Sequence, residues 1–503
     1  MCDSHARRRA SVLSVWRKPL VSVFTLGLLV APTWPNMSVA NEPVERPNVV
    51  LVMADDMGWG QTGYRNHPVL KTPHLDEMSE NGIRFDRFYA GAPVCSPTRA
   101  SVLTGRSNDR TGVLSHGYAL RRQEATLAQH LKSAGYVTGH FGKWHLNGLR
   151  GPGVPVLSTD SHHPGHFGFD QWLSVTNFFD RDPVLSRRGK FEAFAGDSSE
   201  IIVDEALDFI TRQANQEQPF FAVIWYGTPH NPFRADDIDM EPFADLDEES
   251  KNHYGELVAM DRSVGTLRAG LRKLKVADNT LLWFCSDNGG LGEVKPSSTG
   301  GLRGHKGQVY EGGLMVPAIL EWPNKVKTPH VTEHRSCTMD ILPTILDVLD
   351  MQNVTRSVPR DGVTLMPMID SLVSDAPLMP RSTPIFFRHE GKLAVIDGDM
   401  KLLTTDIRKR KFELYDLKSD PNETSDLSRE RPEIVERLIK VMVDWNRDVQ
   451  NSIAGKDYPE GKILPGEPER RFWTTLPEYK TFFDEWENRP EYSRWIKKAR
   501  ANP

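Results

Sequence analysis

Apolar positions along this chain fall into two kinds of run, and their spacing predicts alternating strands and helices. Continuous apolar stretches bounded by turn residues occur at Pro47–Ala54 (P-N-V-V-L-V-M-A), Pro219–Tyr226 (P-F-F-A-V-I-W-Y) and Thr280–Ser286 (T-L-L-W-F-C-S). Runs apolar on both faces are the pattern of parallel strands in a sheet covered on two sides. Ile83–Tyr89 and Tyr136–Phe141 read as further strands. Helical periodicity predicts helices over Leu127–Ala134, Ser198–Gln213, Leu257–Leu274 and Met339–Leu349. The alternation implies an α/β fold with a large, mostly parallel central sheet flanked by helices.

The pattern changes after about residue 380. Pro384–Phe387, Lys392–Ile396 and Met400–Thr404 read as short strands with tight turns, followed by a hairpin-like end at Phe412–Pro421 and a helix over Arg431–Val449. That predicts a small C-terminal antiparallel sheet with one packing helix. Residues 451–503, rich in Trp, Tyr, Pro and charge, either wrap the surface or reach a pocket. The expected organisation is a signal peptide (1–40), a catalytic unit (41–380), a C-terminal subdomain (381–450) and a tail extension (451–503).

Composition narrows the class. A 503-residue chain with 39% hydrophobic and 26% charged residues is that of a globular protein with a large core. Arg7, Arg8, Arg9, Arg17 and Lys18 against Asp3 give residues 1–40 a net +4, which leaves −9 for the rest of a chain at −5 overall. An acidic mature chain argues against a nucleic-acid partner. The basic N-terminal region, the apolar run Leu20–Ala31 and the small-residue site Ser38-Val39-Ala40 predict export to a periplasm or the exterior, with no stable membrane span once the signal is removed. An uncleaved anchor is the alternative, disfavoured by the shortness of the run. Cys95, Cys285 and Cys337 remain in the mature chain, an odd number that excludes a disulfide framework.

Candidate chemistry sits where the predicted strands end, the place at which open α/β sheets bind ligands. The first strand ends in Asp55-Asp56 and the Thr280–Ser286 strand in Asp287-Asn288, an oxygen set suited to a Ca²⁺-type cation. A solvated acidic turn is the plainer reading of the Asp pair. Tyr136–Phe141 runs into Gly142-Lys143-Trp144-His145, and Pro219–Tyr226 into Gly227-Thr228-Pro229-His230. Leu302–Gly313 is a glycine-rich loop carrying Lys306. Gly148–Arg188 reads as a long loop at a pocket rim, with His162, His163 and His166 as candidate substrate contacts. Cys95 and Ser96 stand at the start of a short helix, with Arg99 one turn on. Taken alone, Cys95 reads first as a buried structural thiol, since a free Cys usually packs as a small hydrophobe.

The stretch P-V-C-S-P-T-R-A-S-V-L-T-G-R resembles the signature of type I (formylglycine-dependent) sulfatases, of the alkaline phosphatase superfamily. G-Y-V-T-G-H-F-G-K-W-H resembles their second signature, with Phe141 as a departure before G-K. D-D, T-P-H, S-D-N and G-x-K-G-x-x-Y-E-G-G follow in the family's order, so the resemblance covers roughly residues 47–430. It implies an alkaline-phosphatase-like fold and hydrolysis of a sulfate ester on a small molecule or glycan. It implies that a formylglycine-generating enzyme converts Cys95 to 3-oxoalanine (Cα-formylglycine). One Ca²⁺ would be held by Asp55, Asp56, Asp287, Asn288 and residue 95, with Arg99, Lys143, His145, His230 and Lys306 as catalytic residues. Two alternatives stay open at this point. One is a phosphate or phosphonate ester hydrolase on the same scaffold. The other is a non-catalytic sulfoglycan-binding protein in which Cys95 stays a thiol.

Overall fold

The computed structural model describes residues 46–352 and 358–501, so the expected signal segment lies outside the described residues. The strands are β1 (Asn48–Ala54), β2 (Ile83–Tyr89), β3 (Val137–Lys143), β4 (Leu149–Arg150), β5 (Gln171–Val175), β6 (Val184–Arg187), β7 (Lys190–Ala193), β8 (Phe220–Trp225), β9 (Thr280–Ser286), β10 (Met315–Glu321), β11 (His330–Thr332) and β12 (Ser336–Cys337). All but β4 join one sheet in the order β11-β2-β10-β9-β1-β8-β3-β5-β6-β7, with β12 also on β2. The central block β9-β1-β8-β3-β5 is parallel throughout, and antiparallel pairs flank it.

The parallel block is buried on both faces, which is why its strands read as unbroken apolar runs. Val49, Leu51 and Met53 point to the face covered by the helices Cys95–Thr104, Leu127–Ser133 and Ile341–Val348. Val50, Val52 and Ala54 point to the face covered by Ser198–Ala214 and Glu248–Lys273. The last of these helices begins nine residues before its predicted start. Its first turns, E-E-S-K-N-H, carry no apolar stripe, but Asp247 caps them by accepting from the Ser250 N–H at 2.9 Å.

Gly148–Arg188 is not one long loop. Gln171–Val175 and Val184–Arg187 are strands of the main sheet, so most of the chain's Gly, Pro and His richness there belongs to short connections. Beyond residue 380, β13 (Ile385–His389), β14 (Lys392–Asp397), β15 (Met400–Thr404) and β16 (Glu413–Asp416) form an antiparallel sheet. One face carries Leu393, Val395, Leu402 and Leu414 against Leu438, Met442, Trp445 and Val449 of the helix Pro432–Ile453. The other face packs Phe387, Ala394 and Leu403 on Tyr89, Leu314 and Met339 of the large sheet's surroundings. Two short stretches of the tail reach back across the fold. Arg121 donates to the Ser452 and Ile453 carbonyls, and β17 (Arg471–Phe472) pairs in parallel with β4.

Candidate active site

Because β9, β1, β8 and β3 are adjacent and parallel, their C-terminal ends lie side by side and present Asp287-Asn288, Asp55-Asp56, His230 and Lys143 along one edge. Backbone bonds carry the register past the strands: Asp55 N–H donates to the Thr228 carbonyl at 2.9 Å and Asp287 N–H to Ala54 at 3.1 Å. Asp56 turns out of β1 with φ 69°, a left-handed conformation that Asp tolerates better than most residues, and its N–H donates to Asp287 Oδ1 at 3.1 Å. Gly58, just beyond, has no room for a side chain, since a Cβ would stand 2.2 Å from the Ser298 carbonyl oxygen.

Cys95 is the first residue of its helix, two positions earlier than Pro97 alone suggests, and is 2% exposed. Burial pushes its thiol above the ordinary value, against the pull of Lys143 and Lys306. Asp55, Cys95 and Asp287 bring their ligand atoms within 4.8 Å of one another, and Asp55, Asp56 and His230 form a second such group. Arg99, fully buried and 5.1 Å over the Trp225 ring, aims its fork at Asp287 (Nη2 to Oδ2 2.6 Å, Nε to Oδ2 3.1 Å) and stands 3.8 Å from Asp55. It thereby fixes a carboxylate beside residue 95.

Three carboxylates with no solvent exposure are matched by Arg99, Lys143 and Lys306. Lys143 Nζ donates to Asp55 Oδ2, and Lys306 Nζ to Asp56 Oδ2 at 2.6 Å. The Lys306 loop is seated by its own backbone, with Lys306 N–H on the Gly290 carbonyl and Gly307 N–H on Pro93. Two oxygens in this cluster, Asp55 Oδ1 and Asn288 Oδ1, are buried without a hydrogen-bond partner, while the Asn288 amide donates to Asp56 Oδ1 at 2.7 Å. Buried, unpartnered anionic and amide oxygens are costly unless a cation meets them, and an all-oxygen set selects a hard one such as Ca²⁺. The donor set fits that ion.

A cavity of about 300 Å³ opens on Cys95 and is lined in part by His145, His230 and Lys306. His145 has φ 54° and both ring nitrogens buried without a partner. Burial first, then Lys143 and Arg99, hold it well below the ordinary imidazole value. His230 stacks on Phe178 (ring centroids 4.5 Å apart), donates Nδ1–H to the Asn231 carbonyl and places Nε2 3.8 Å from Asp56. The structure thus gathers the sequence-predicted Asp55, Asp56, Cys95, Arg99, Lys143, His145, His230, Asp287, Asn288 and Lys306 in one place.

It does not bring in the three loop histidines. His162 is buried, with Nε2 2.9 Å from Glu467, and His163 stacks between His166 and Trp172; none of them lines the cavity. A cluster of imidazoles in a Gly/Pro-rich stretch signals turns as readily as ligands, and here His163 caps a 3₁₀ turn. Sequence reasoning missed His116, Arg150, Asn177, Phe178, Phe472 and Trp495, which also line the cavity. No local spacing marks them, because five separate segments contribute them.

A family model described as Sulfatase matches residues 47–351. N-acetylgalactosamine-6-sulfatase of Sus scrofa is 31% identical over 419 residues, 74% of each chain. Among solved structures, Ps i-CgsB in complex with k-i-k-neocarrahexaose superposes with a TM-score of 0.70 at 23% identity, over 90% of this chain and all of that one. BT4656 in complex with D-glucosamine-2-N,6-O-disulfate gives 0.65 at 19% identity, over 80% of this chain and 98% of that one. The matched span contains every strand end that builds the buried cluster, and this chain belongs to the sulfatase family of sulfuric ester hydrolases.

Proposed function

We propose that this hydrolase releases inorganic sulfate from a carbohydrate sulfate ester, with residue 95 as Cα-formylglycine and one Ca²⁺ as its cofactors. The observation that carries this reading is Cys95 packed against buried carboxylates whose neighbours Asp55 Oδ1 and Asn288 Oδ1 lack any protein partner. As a thiol, Cys95 is a poor nucleophile in this setting, since burial keeps it protonated. Conversion by a formylglycine-generating enzyme would provide an aldehyde whose hydrate offers an oxygen nucleophile and lets sulfate depart as the carbonyl returns. Asp55, Asp56, Asp287, Asn288 and an oxygen of residue 95 would hold the ion, which when bound supplies charge to a sulfate oxygen and lowers the pKa of its other oxygen ligands.

The side chains divide the remaining work. Arg99 holds Asp287 in place and keeps positive charge beside residue 95. Lys143 and Lys306 pair with the carboxylates, Lys306 from the cavity side, and stabilise negative charge on the transferring group; Asp56 helps keep Lys306 charged by raising it above the ordinary amine value, against burial. His230, with Lys306 beside it, faces the leaving oxygen and supplies its proton or charge. His145, with no protein partner for either ring nitrogen, is free to take a proton from residue 95 when sulfate leaves. The carbohydrate assignment draws on relatives named for sulfated amino sugars and on the sugar-bound neighbours. Residues 41–380 form the catalytic unit in this reading, 381–450 the subdomain and 451–503 an extension, in a chain exported to a periplasm or the exterior.

The test compares sulfate released from a sulfated hexosamine with phosphate released from the matching phosphate ester, with and without chelator. Sulfate release should dominate, disappear on chelation and return with calcium. Faster phosphate release would make this a phosphate or phosphonate ester hydrolase. Binding of the sulfated sugar without turnover, with Cys95 still a thiol, would make it a sulfoglycan-binding protein.

A further inference from the structure

Part of the cavity over Cys95 is built by the C-terminal extension, and the chemistry above does not use it. β17 lies beside β4 with Phe472 opposite Arg150, and the Arg471 N–H donates to the Gly148 carbonyl at 3.0 Å. This two-residue ribbon sets two guanidinium groups on aromatic faces. Arg150 lies 4.5 Å from the Phe472 ring centroid and Arg470 5.0 Å from that of Tyr118. Trp495 extends the aromatic wall, 5.2 Å from Phe472. Arg150, Phe472 and Trp495 line the cavity that opens on Cys95.

Among the described residues, neither Arg150 nor Arg470 has a carboxylate partner, whereas Arg99, deeper in the site, pairs with Asp287. Arg470 donates Nη2–H to His116 Nε2 at 3.1 Å and has a buried Nε with no partner at all. Burial, then the like charge of Arg470, lowers Arg150 below the ordinary guanidinium value. Burial, Arg470 and Arg150 also push His116 down to about 4, which leaves it a neutral acceptor. Like charges that act on one another in this way repel unless an anion sits between them, and an arginine fork matches carboxylate or sulfate oxygens in pairs.

Resting on the sulfatase reading, we infer that Arg150 and Arg470 form a second anion subsite. It takes a negatively charged substituent, sulfate or uronate carboxylate, on the sugar that carries the scissile sulfate or on its neighbour. Phe472 and Trp495 stack on the apolar face of that sugar. A cavity of about 300 Å³ suits one ring and its substituents.

The test uses the full-length chain carrying Cys95→Ser, so that binding is measured without turnover, by titration calorimetry in calcium. Three probes are compared: a monosulfated hexosamine, the same sugar with a second sulfate, and the monosulfated sugar joined to a uronic acid. A doubly charged probe should bind at least about tenfold tighter than the monosulfated sugar, and which of the two does so identifies the anion. That gap should collapse in Arg150→Ala and Arg470→Ala and be partly kept in Arg470→Lys. It should also shrink as salt is raised in the parent chain, a readout that needs no folded variant. Equal binding of all three probes, a gap insensitive to salt, or alanine variants that weaken all three equally would overturn the subsite. Turnover by the matured wild-type chain is scored separately. A binding gap without any sulfate release would sink the hydrolase reading and leave the subsite standing.

Discussion

Arg99 and Asp287 form an ion pair with no solvent exposure on either side chain, so removing one partner strands a charge in the core. Breaking a buried pair of this kind costs roughly 3–5 kcal/mol. Arg99→Ala should therefore lower the unfolding midpoint markedly and also abolish sulfate release, because Asp287 loses its anchor beside residue 95. A variant with the parent's melting temperature would show that Asp287 is held by other means. The ten residues of this cluster were legible in the sequence because each ends a strongly apolar strand or sits in a short motif with fixed neighbours. Arg150, His116 and Trp495 were not, since their roles depend on which distant segments meet, and no local spacing records that.

At the scale of elements, the parallel strands could be read because burial on both faces leaves an uninterrupted apolar run, as in β1, β8 and β9. β5 (Q-W-L-S-V) escaped notice because it is short and sits among turn residues. The start of the Glu248–Lys273 helix escaped because its first turns are polar. The tail could not be read at all: β17 has two residues, and its partner β4 lies more than 300 positions earlier. What holds the tail is Trp473, fully buried with Tyr479, Phe483, Trp486 and Tyr492 around its ring at 5.6–6.4 Å. Trp473→Ala should cost about 3–5 kcal/mol as a large core truncation. Since Phe472 is its neighbour, KM for a sulfated oligosaccharide should rise more than KM for a small aryl sulfate. Equal changes for both substrates would detach the tail from recognition.

For the molecule as a whole, part of the acid response comes from imidazoles buried neutral around Tyr254. His67 is pushed down to about 4 and His253 to about 3, by burial first in each case. His67 Nδ1 accepts the Leu70 N–H at 2.9 Å, and His253 Nε2 faces the Gln61 amide nitrogen at 2.6 Å, so protonation of either breaks a bond. Their folded values lie below the ordinary 6.5, so the unfolded chain binds more protons as pH drops beneath that value. The share of stability that these two imidazoles carry should be level above about pH 6.5 and fall towards pH 4. Asp109 and Asp261, raised by burial to about 7 and about 6, act with the opposite sign, so the share is read as the parent's unfolding midpoint minus that of a His67→Gln, His253→Gln chain. A difference that grows on acidification would contradict the assignment.

Everything in the functional account turns on residue 95, and one measurement reaches it directly. Preparations made with graded amounts of formylglycine-generating enzyme are assayed for initial rate of sulfate release. The mass of the peptide spanning Cys95 gives the converted fraction in each, since conversion replaces sulfur and two hydrogens with one oxygen. The rate should rise in proportion to that fraction and extrapolate to zero, with Cys95→Ser, unmodified by mass, at the origin. A finite rate with residue 95 wholly unconverted would contradict the account.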